Sequence, residues 1–279
     1  MFKNKKFNYA LFGNPINHSK SPYIHNFFSK QTGLVHNYTA FNVPLSNLFS
    51  FLSDFFKQEG CGANITAPFK EEAFFLCNKL TERAKIAQSV NTLKKINNTC
   101  ILGDNTDGIG LLSDLIRLNF IKKKYSVLIL GAGGAVKGVI SPLLSFGCSI
   151  FILNRTVANA QKIVTQFHKY GKINIFNEFL LGEKKFDLVI NATSKNITKT
   201  EYFFPLSFVS SKTFFYDMNY QIDNTPFINW CIKTGHTFVS NGIGMLVFQA
   251  AHSFLLWHNQ FPKTDYIINF LSKKKLNDI

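Results

Sequence analysis

The sequence predicts an α/β protein of two domains, each built on an open, mostly parallel sheet. Three observations predict it. Short apolar runs alternate with helix-period patterns along the chain, as strands and crossover helices do. The apolar run YSVLIL leads into the glycine-rich turn Gly131-Ala132-Gly133-Gly134-Ala135 and then into a helical pattern. Near the C-terminus, GMLVFQAAHSFLLWHNQF reads as an apolar helix that packs back on the first domain. The 279 residues suffice for two domains of ordinary size.

The elements follow in order. FNYALFG (7–13) reads as a strand. SPYIHNFFSKQTG (21–33) is a helix, with Ser21 able to cap it, Pro22 in its first turn and Gly33 at its end. NYTAFNV (37–43) is a second strand. In SNLFSFLSDFFKQEG (46–60), Leu48, Phe51, Leu52, Phe55 and Phe56 share one helical face. GANIT (62–66) is a short strand, EEAFFLCNKL and TERAKIAQS are short helices, and TLKKINNTCILG is a hairpin turning at Asn97–Asn98. A helix over 108–119 precedes YSVLIL. FILNR (151–155) is the next strand, TVANAQKIVTQFHKYG a helix, and FDLVINAT (186–193) and TFFYDMNY (213–220) further strands. This βαβ series places a Rossmann-type nucleotide-binding domain at about 107–242, with 1–106 and about 243–279 forming the other domain.

Composition narrows the class. Hydrophobic content of 46% and charged content of 17% describe a globular chain. No apolar run approaches the ~18 residues of a membrane helix. The N-terminal lysines precede an apolar patch, Tyr9 to Phe12, that Gly13 and Pro15 break before it reaches the ~7–15 residues of a signal h-region. A soluble, cytoplasmic protein is expected. Five scattered cysteines without a C-x-x-C pair fit reduced thiols, and no metal site is expected. A net charge of +15 raises nucleic acid as a partner, but the lysines are dispersed, and a positive surface that collects small anions is the preferred reading.

In the turn Gly131 to Ala135, the first glycine permits a tight bend and the second lets backbone approach a pyrophosphate. The following helix aims its N–H groups and positive dipole end at that phosphate. Val136 stands at the third glycine position of the pattern. NAD-binding domains usually end their second strand in a carboxylate that accepts from the ribose 2′-OH. Here FILNRTVAN carries Asn154, Arg155 and Thr156 instead. A cation with neutral hydrogen-bonding neighbours accommodates a 2′-phosphate, so NADP(H) is expected over NAD.

The first domain holds NHSKSP (17–22), GANITAPFK (62–70), VNTL (90–93) and GDNTDG (103–108), each placing small polar groups at a strand end or helix start. So many neutral hydrogen-bonding groups suit a polyhydroxylated ligand, and a lysine converging with an aspartate suits proton transfer. These segments resemble the shikimate dehydrogenase family, which reduces 3-dehydroshikimate to shikimate with NADPH in the route to aromatic amino acids. The likeness runs from FGNPINHSKSP through GANITAPFKEEA, LTERA, SVNTL, LGDNTDG, LILGAGGA, NRT, FDLVINATS, YDMNY and TPFINWC to NGIGMLVFQAAHSFLLWHN, nearly the whole chain.

The resemblance implies that Lys70 and Asp107 are the catalytic pair, either of them the formal acid/base. Ser19, Ser21, Asn64, Thr66, Asn91, Tyr220 and Gln249 would line the shikimate site beside them. Gly131, Ala132, Gly133, Gly134 and Ala135 would hold the pyrophosphate, and Asn154, Arg155 and Thr156 the 2′-phosphate. Met218 and Gly242 would lie on the nicotinamide side, Glu82 is a further cofactor-binding position, and chain crossings near Asp107 and Gly242 would act as hinges. The plainer reading makes Lys70 a solvated first-turn residue, Asp107 and Ser21 helix caps, and Gln249 and His252 satisfied core groups; His252 is left structural. Many relatives carry a second arginine where Asn159 stands, which leaves Arg155 with Lys162 one turn on. Asn241 replaces a common aspartate, a change with no physical account. The rival readings are a quinate/shikimate dehydrogenase using NAD and, in another class, a non-catalytic nucleotide or metabolite sensor. A monomer is expected, with a homodimer as the alternative.

Overall fold

A computed structural model describes residues 7–182, 185–193, 206–221 and 223–273. In chain order these form β1 (Phe7–Gly13), α1 (Ser21–Thr32), β2 (His36–Asn42), α2 (Leu48–Lys57), β3 (Gly60–Ile65), α3 (Lys70–Phe75), β4 (Lys79–Leu80) and α4 (Glu82–Ala87). The hairpin β5 (Thr92–Asn97) and β6 (Cys100–Asp104) follows, then α5 (Asp107–Arg117). The second half comprises β7 (Ser126–Leu130), α6 (Gly134–Phe146), β8 (Ser149–Leu153), α7 (Val157–Phe167), β9 (Ile173–Ile175), α8 (Glu178–Leu181), β10 (Leu188–Asn191), β11 (Phe214–Asp217), α9 (Pro226–Lys233) and β12 (Val239–Ser240). Two helices, α10 (Ile243–His258) and α11 (Asp265–Lys273), end the described chain. Residues 7–110 with 246–270 form one compact unit, and 111–245 with 271–273 the other.

The fold is mixed α/β with two sheets, mostly parallel. Unit 1 carries the order β2-β1-β3-β5-β6-β4. Its β1 pairs parallel to β2 and β3, while the β5–β6 hairpin adds two antiparallel pairings. One side of this sheet is covered by α2, whose Leu48, Leu52 and Phe56 are buried against Phe12, Ile65 and Leu93. Tyr9, Leu11, Tyr38 and Trp257 form a separate cluster. Within unit 1, α10 docks closely, since Trp257 Nε1 donates to the Leu93 carbonyl at 2.9 Å. Gly62 is required there, because a Cβ would strike the Trp257 ring nitrogen.

Unit 2 carries an all-parallel sheet in the order β12-β11-β10-β7-β8-β9. The strand order reverses between β7 and β10, which is where doubly wound sheets bind ligands. Two of its strands are buried along their length, Ser126 to Leu130 and Leu188 to Asn191. Sandwiched strands need continuous apolar runs, and VLIL and LVI supply them.

Several boundaries differ from those read off the sequence. Ser21 is the first residue of α1 and not its cap; Lys20 holds the cap position, without a side-chain capping bond. Gly33, at φ 71°, does end that helix. EEAFFLCNKL is not one helix. It stops at Phe75, and Asn78 exchanges two hydrogen bonds with Ile101, which draws Lys79–Leu80 into the sheet as β4. FILNR leaves the sheet after Leu153, so Arg155 stands on the loop before α7. The short edge strands β9 and β12 carry too few residues to show a period of two.

Candidate active site

Unit 1 gathers polar groups where β3, β5 and β6 give way to loops and helices. Lys70 opens α3 and Asp107 opens α5. Lys70 Nζ donates to Asp107 Oδ2 at 2.6 Å, and Asn91 Nδ2 donates to Asp107 Oδ1 at 2.9 Å. Both carboxylate oxygens are thereby engaged. The side chains of Lys70 and Asp107 are 23% and 10% exposed, so the ammonium reaches solvent while its anchor is largely buried. A charge pair in this partly desolvated setting is stronger than one in water.

Behind the pair lies a layer of amides and hydroxyls. Asn64, on β3, accepts from Tyr38 OH at 2.7 Å and donates to the Asn91 carbonyl, Thr92 Oγ1 and Ser253 Oγ at 3.0–3.1 Å. Asn91 Oδ1 accepts from the Thr106 N–H at 2.8 Å. Gln249, on α10, donates to the Leu246 carbonyl at 2.8 Å and packs on Gly110, where any Cβ would sit 2.7 Å from its backbone nitrogen. Ser19 Oγ accepts from the Ser21 N–H at 3.3 Å, so these two serines form one short turn at the start of α1. Thr66 follows β3, tied by its N–H to the Phe12 carbonyl at 2.9 Å. Glu82, the other position in unit 1, is exposed at the start of α4 and pairs with Lys85 at 3.4 Å.

A second set lies on unit 2. Gly131 adopts φ +114°, and a Cβ there would lie 3.0 Å from the Ala192 carbonyl oxygen at the end of β10. Only glycine serves both demands. Gly133, Gly134 and Ala135 are exposed, and a Cβ on Gly133 would meet nothing within 4 Å. The turn therefore presents open backbone at the N-terminus of the thirteen-residue helix α6, room and polarity that fit a phosphate. Val136 is fully buried and packs the helix into the core. Beyond β8, Asn154 Nδ2 donates to the Thr156 carbonyl at 2.9 Å, Arg155 is exposed, and Asn159 is exposed in the first turn of α7. No carboxylate stands in Asn154-Arg155-Thr156, so the loop suits an added anionic group. Gly242 abuts the Met218 carbonyl so closely that a Cβ would collide with it. Tyr220 is half-buried, and burial raises the pKa of its hydroxyl. Among the described residues, no group of three His, Cys, Asp or Glu is gathered as a metal ion requires.

Two family models match: the shikimate dehydrogenase substrate binding domain over residues 11–93, and shikimate / quinate 5-dehydrogenase over 115–207. Over 274 residues the chain is 68% identical to a shikimate dehydrogenase (NADP(+)) of Buchnera aphidicola subsp. Schizaphis graminum, covering 98% of this chain and all of the relative. The chain belongs to the shikimate dehydrogenase family. A counterpart from Buchnera aphidicola subsp. Acyrthosiphon pisum is 70% identical over 273 residues, again 98% of this chain and all of the relative. A shikimate 5-dehydrogenase of Thermus thermophilus, solved with NADP(H) and shikimate, superposes with a TM-score of 0.82 at 27% identity, covering 95% of this chain and 98% of that one.

For a member of the shikimate dehydrogenase family, the groups that sequence reasoning missed are those of the hydroxyl layer. Thr92 and Thr106 stand beside Asn91 and Asp107 within VNTL and GDNTDG, so adjacency was an available signal. Ser253 offered only its position four residues after Gln249 on an apolar helix. Asp217 was also missed. This buried carboxylate accepts from Asn191, Asn219 and Thr225, and burial raises its pKa against those bonds.

Proposed function

We propose that this chain catalyses the reversible NADPH-dependent reduction of 3-dehydroshikimate to shikimate, an oxidoreductase step of aromatic amino-acid biosynthesis. The observation that carries the chemistry is the 2.6 Å contact between Lys70 and Asp107, with Asn91 on the second carboxylate oxygen. Reducing a ketone needs a hydride at carbon and a proton at oxygen. NADPH supplies the hydride. The Lys70–Asp107 pair supplies the proton, and in the reverse direction the same pair takes it from the C3 hydroxyl. Asp107 keeps the ammonium aimed and accepts from the substrate hydroxyl.

Unit 1 is the substrate domain, where Ser19, Ser21, Asn64, Thr66, Asn91 and Gln249 hold the hydroxyl and carboxylate groups of shikimate; Tyr220 is a further proposed substrate-binding residue. Gly131 to Ala135 bind the pyrophosphate through backbone N–H groups, and Asn154 to Thr156 bind the 2′-phosphate. Met218 and Gly242 border the nicotinamide, and Glu82 takes a further cofactor-side role. A monomer is the proposed state. Five free cysteines and a need for reduced coenzyme favour a cytoplasmic setting; no described helix is long and apolar enough to cross a membrane.

A steady-state assay with shikimate and quinate, each paired with NADP and NAD, tests this reading. Turnover is expected with shikimate and NADP. No turnover of shikimate with either coenzyme refutes it, and preference for quinate with NAD would select the rival enzyme.

A further inference from the structure

Ser253 is fully buried on α10, one turn beyond Gln249. Its hydroxyl donates to the Gln249 carbonyl at 3.0 Å. A hydroxyl has one proton, so that bond leaves the oxygen to accept. Three groups reach it: Asn64 Nδ2 at 3.0 Å, Thr92 Oγ1 at 2.8 Å and Thr106 Oγ1 at 3.2 Å. The same two threonine hydroxyls lie 2.9 and 3.1 Å from Asn91 Oδ1, which also takes the Thr106 N–H. All protons are satisfied when Ser253 Oγ accepts from Asn64 and one threonine, while the other threonine donates to Asn91. Asn91 Oδ1 then faces donors alone, and its NH2 is left to face Asp107.

We propose that Ser253 is a positioning residue for the shikimate site. Its one oxygen ties α10, and with it Gln249, to the Asn64 amide and to the threonines that orient Asn91. The effect reaches Lys70 through Asn91 and Asp107. This inference rests on the function proposed above. A serine that merely satisfied itself on the carbonyl four residues back would be replaceable by alanine without kinetic effect, since such back-bonding slightly destabilises helices.

The test uses the purified full chain and Ser253→Ala, which removes one oxygen and opens no large cavity. The loss of the buried hydrogen bonds to the Asn64 amide and to the threonine hydroxyls beside Asn91 is expected to lower kcat for shikimate oxidation about tenfold and to raise KM for shikimate about three- to tenfold. KM for NADP is expected to stay within about twofold. Thr92→Val, an isosteric change on β5, is expected to show the same split and stands in should Ser253→Ala fail to fold. Kinetic constants equal to wild type in a folded variant overturn the inference. A parallel rise in both KM values overturns it too, because general loosening would act on both sites. A wild-type chain inactive on shikimate sinks the functional reading and this inference with it; an active wild type whose variants match it sinks this inference alone.

Discussion

Lys70 and Asp107 stand 37 positions apart in the chain and 2.6 Å apart in space, each the first residue of its helix. The aspartate therefore sits at the N-terminus of α5 beside the lysine, and Asn91 secures the oxygen that Lys70 leaves. Both oxygens of the carboxylate that anchors the ammonium are thus held.

Replacing Lys70 by alanine is expected to lower kcat by at least ~10²-fold with a much smaller change in KM for shikimate, the usual scale of lost acid–base catalysis. Initial rates of NADPH formation from shikimate measure both constants. Near-normal turnover would remove Lys70 from the role.

Asn159 is exposed in the first turn of α7, three residues past the loop that carries Arg155. Asn159→Arg is expected to tighten NADP by about tenfold, since a charge-assisted hydrogen bond contributes ~1.5–3 kcal/mol, and to leave NAD unchanged. Arg155→Ala is expected to weaken NADP selectively. Fluorescence titration with both coenzymes reads the difference, and equal effects on the two would refute a 2′-phosphate contact.

Gly131→Ala places a side chain at φ +114° and 3.0 Å from the Ala192 carbonyl oxygen. Strain of this kind costs on the order of 1–3 kcal/mol, so the melting temperature is expected to fall by several degrees. KM for NADP is expected to rise while KM for shikimate holds. An unchanged thermal profile with unchanged coenzyme affinity would show that the turn does not need glycine.

Acid is expected to unfold unit 1 through its buried histidines. His25 stacks on Tyr38 at 4.1 Å, and burial, with His258 nearby, pushes its pKa down to about 3. Burial first and Lys94 second push His258 down to about 4, and His36 is depressed further still. In the unfolded chain a histidine titrates near ~6.5, so below that pH the unfolded state binds protons that the folded state refuses. Stability is full above ~6.5 and falls as pH drops towards 4. At ~1.4 kcal/mol per unit, His25 alone accounts for about 2 kcal/mol at pH 5. Urea midpoints at pH 7 and 5 are expected to differ accordingly, and less so in His25→Phe. A flat profile would count against burial as the cause.

Local chemistry was legible where it repeats or punctuates. The face Leu48, Leu52, Phe56 marked α2, Gly33 marked the end of α1, and GAGGA marked the turn between β7 and α6. What failed were boundaries set by partners elsewhere. Ser21 had every property of a cap, yet helical geometry starts one residue earlier than such a cap would allow. Lys79–Leu80 became a strand because β6 offered an edge, not because of their own preference.

By itself the sequence determined the alternation of strands and helices, the family, and the residue types proposed to hold a polyol and an anionic coenzyme. Those are properties of single residues and short spacings, which a string of letters carries whole. The tertiary structure alone decided which of those residues meet: that Asn91 presents its NH2 to Asp107, and that Ser253 on a distant helix closes the hydroxyl layer with Thr92 across 161 positions. Hydrogen bonds are directional and reach only about 3 Å, so such partnerships exist once the sheet and α10 have been packed together, and no local pattern can announce them.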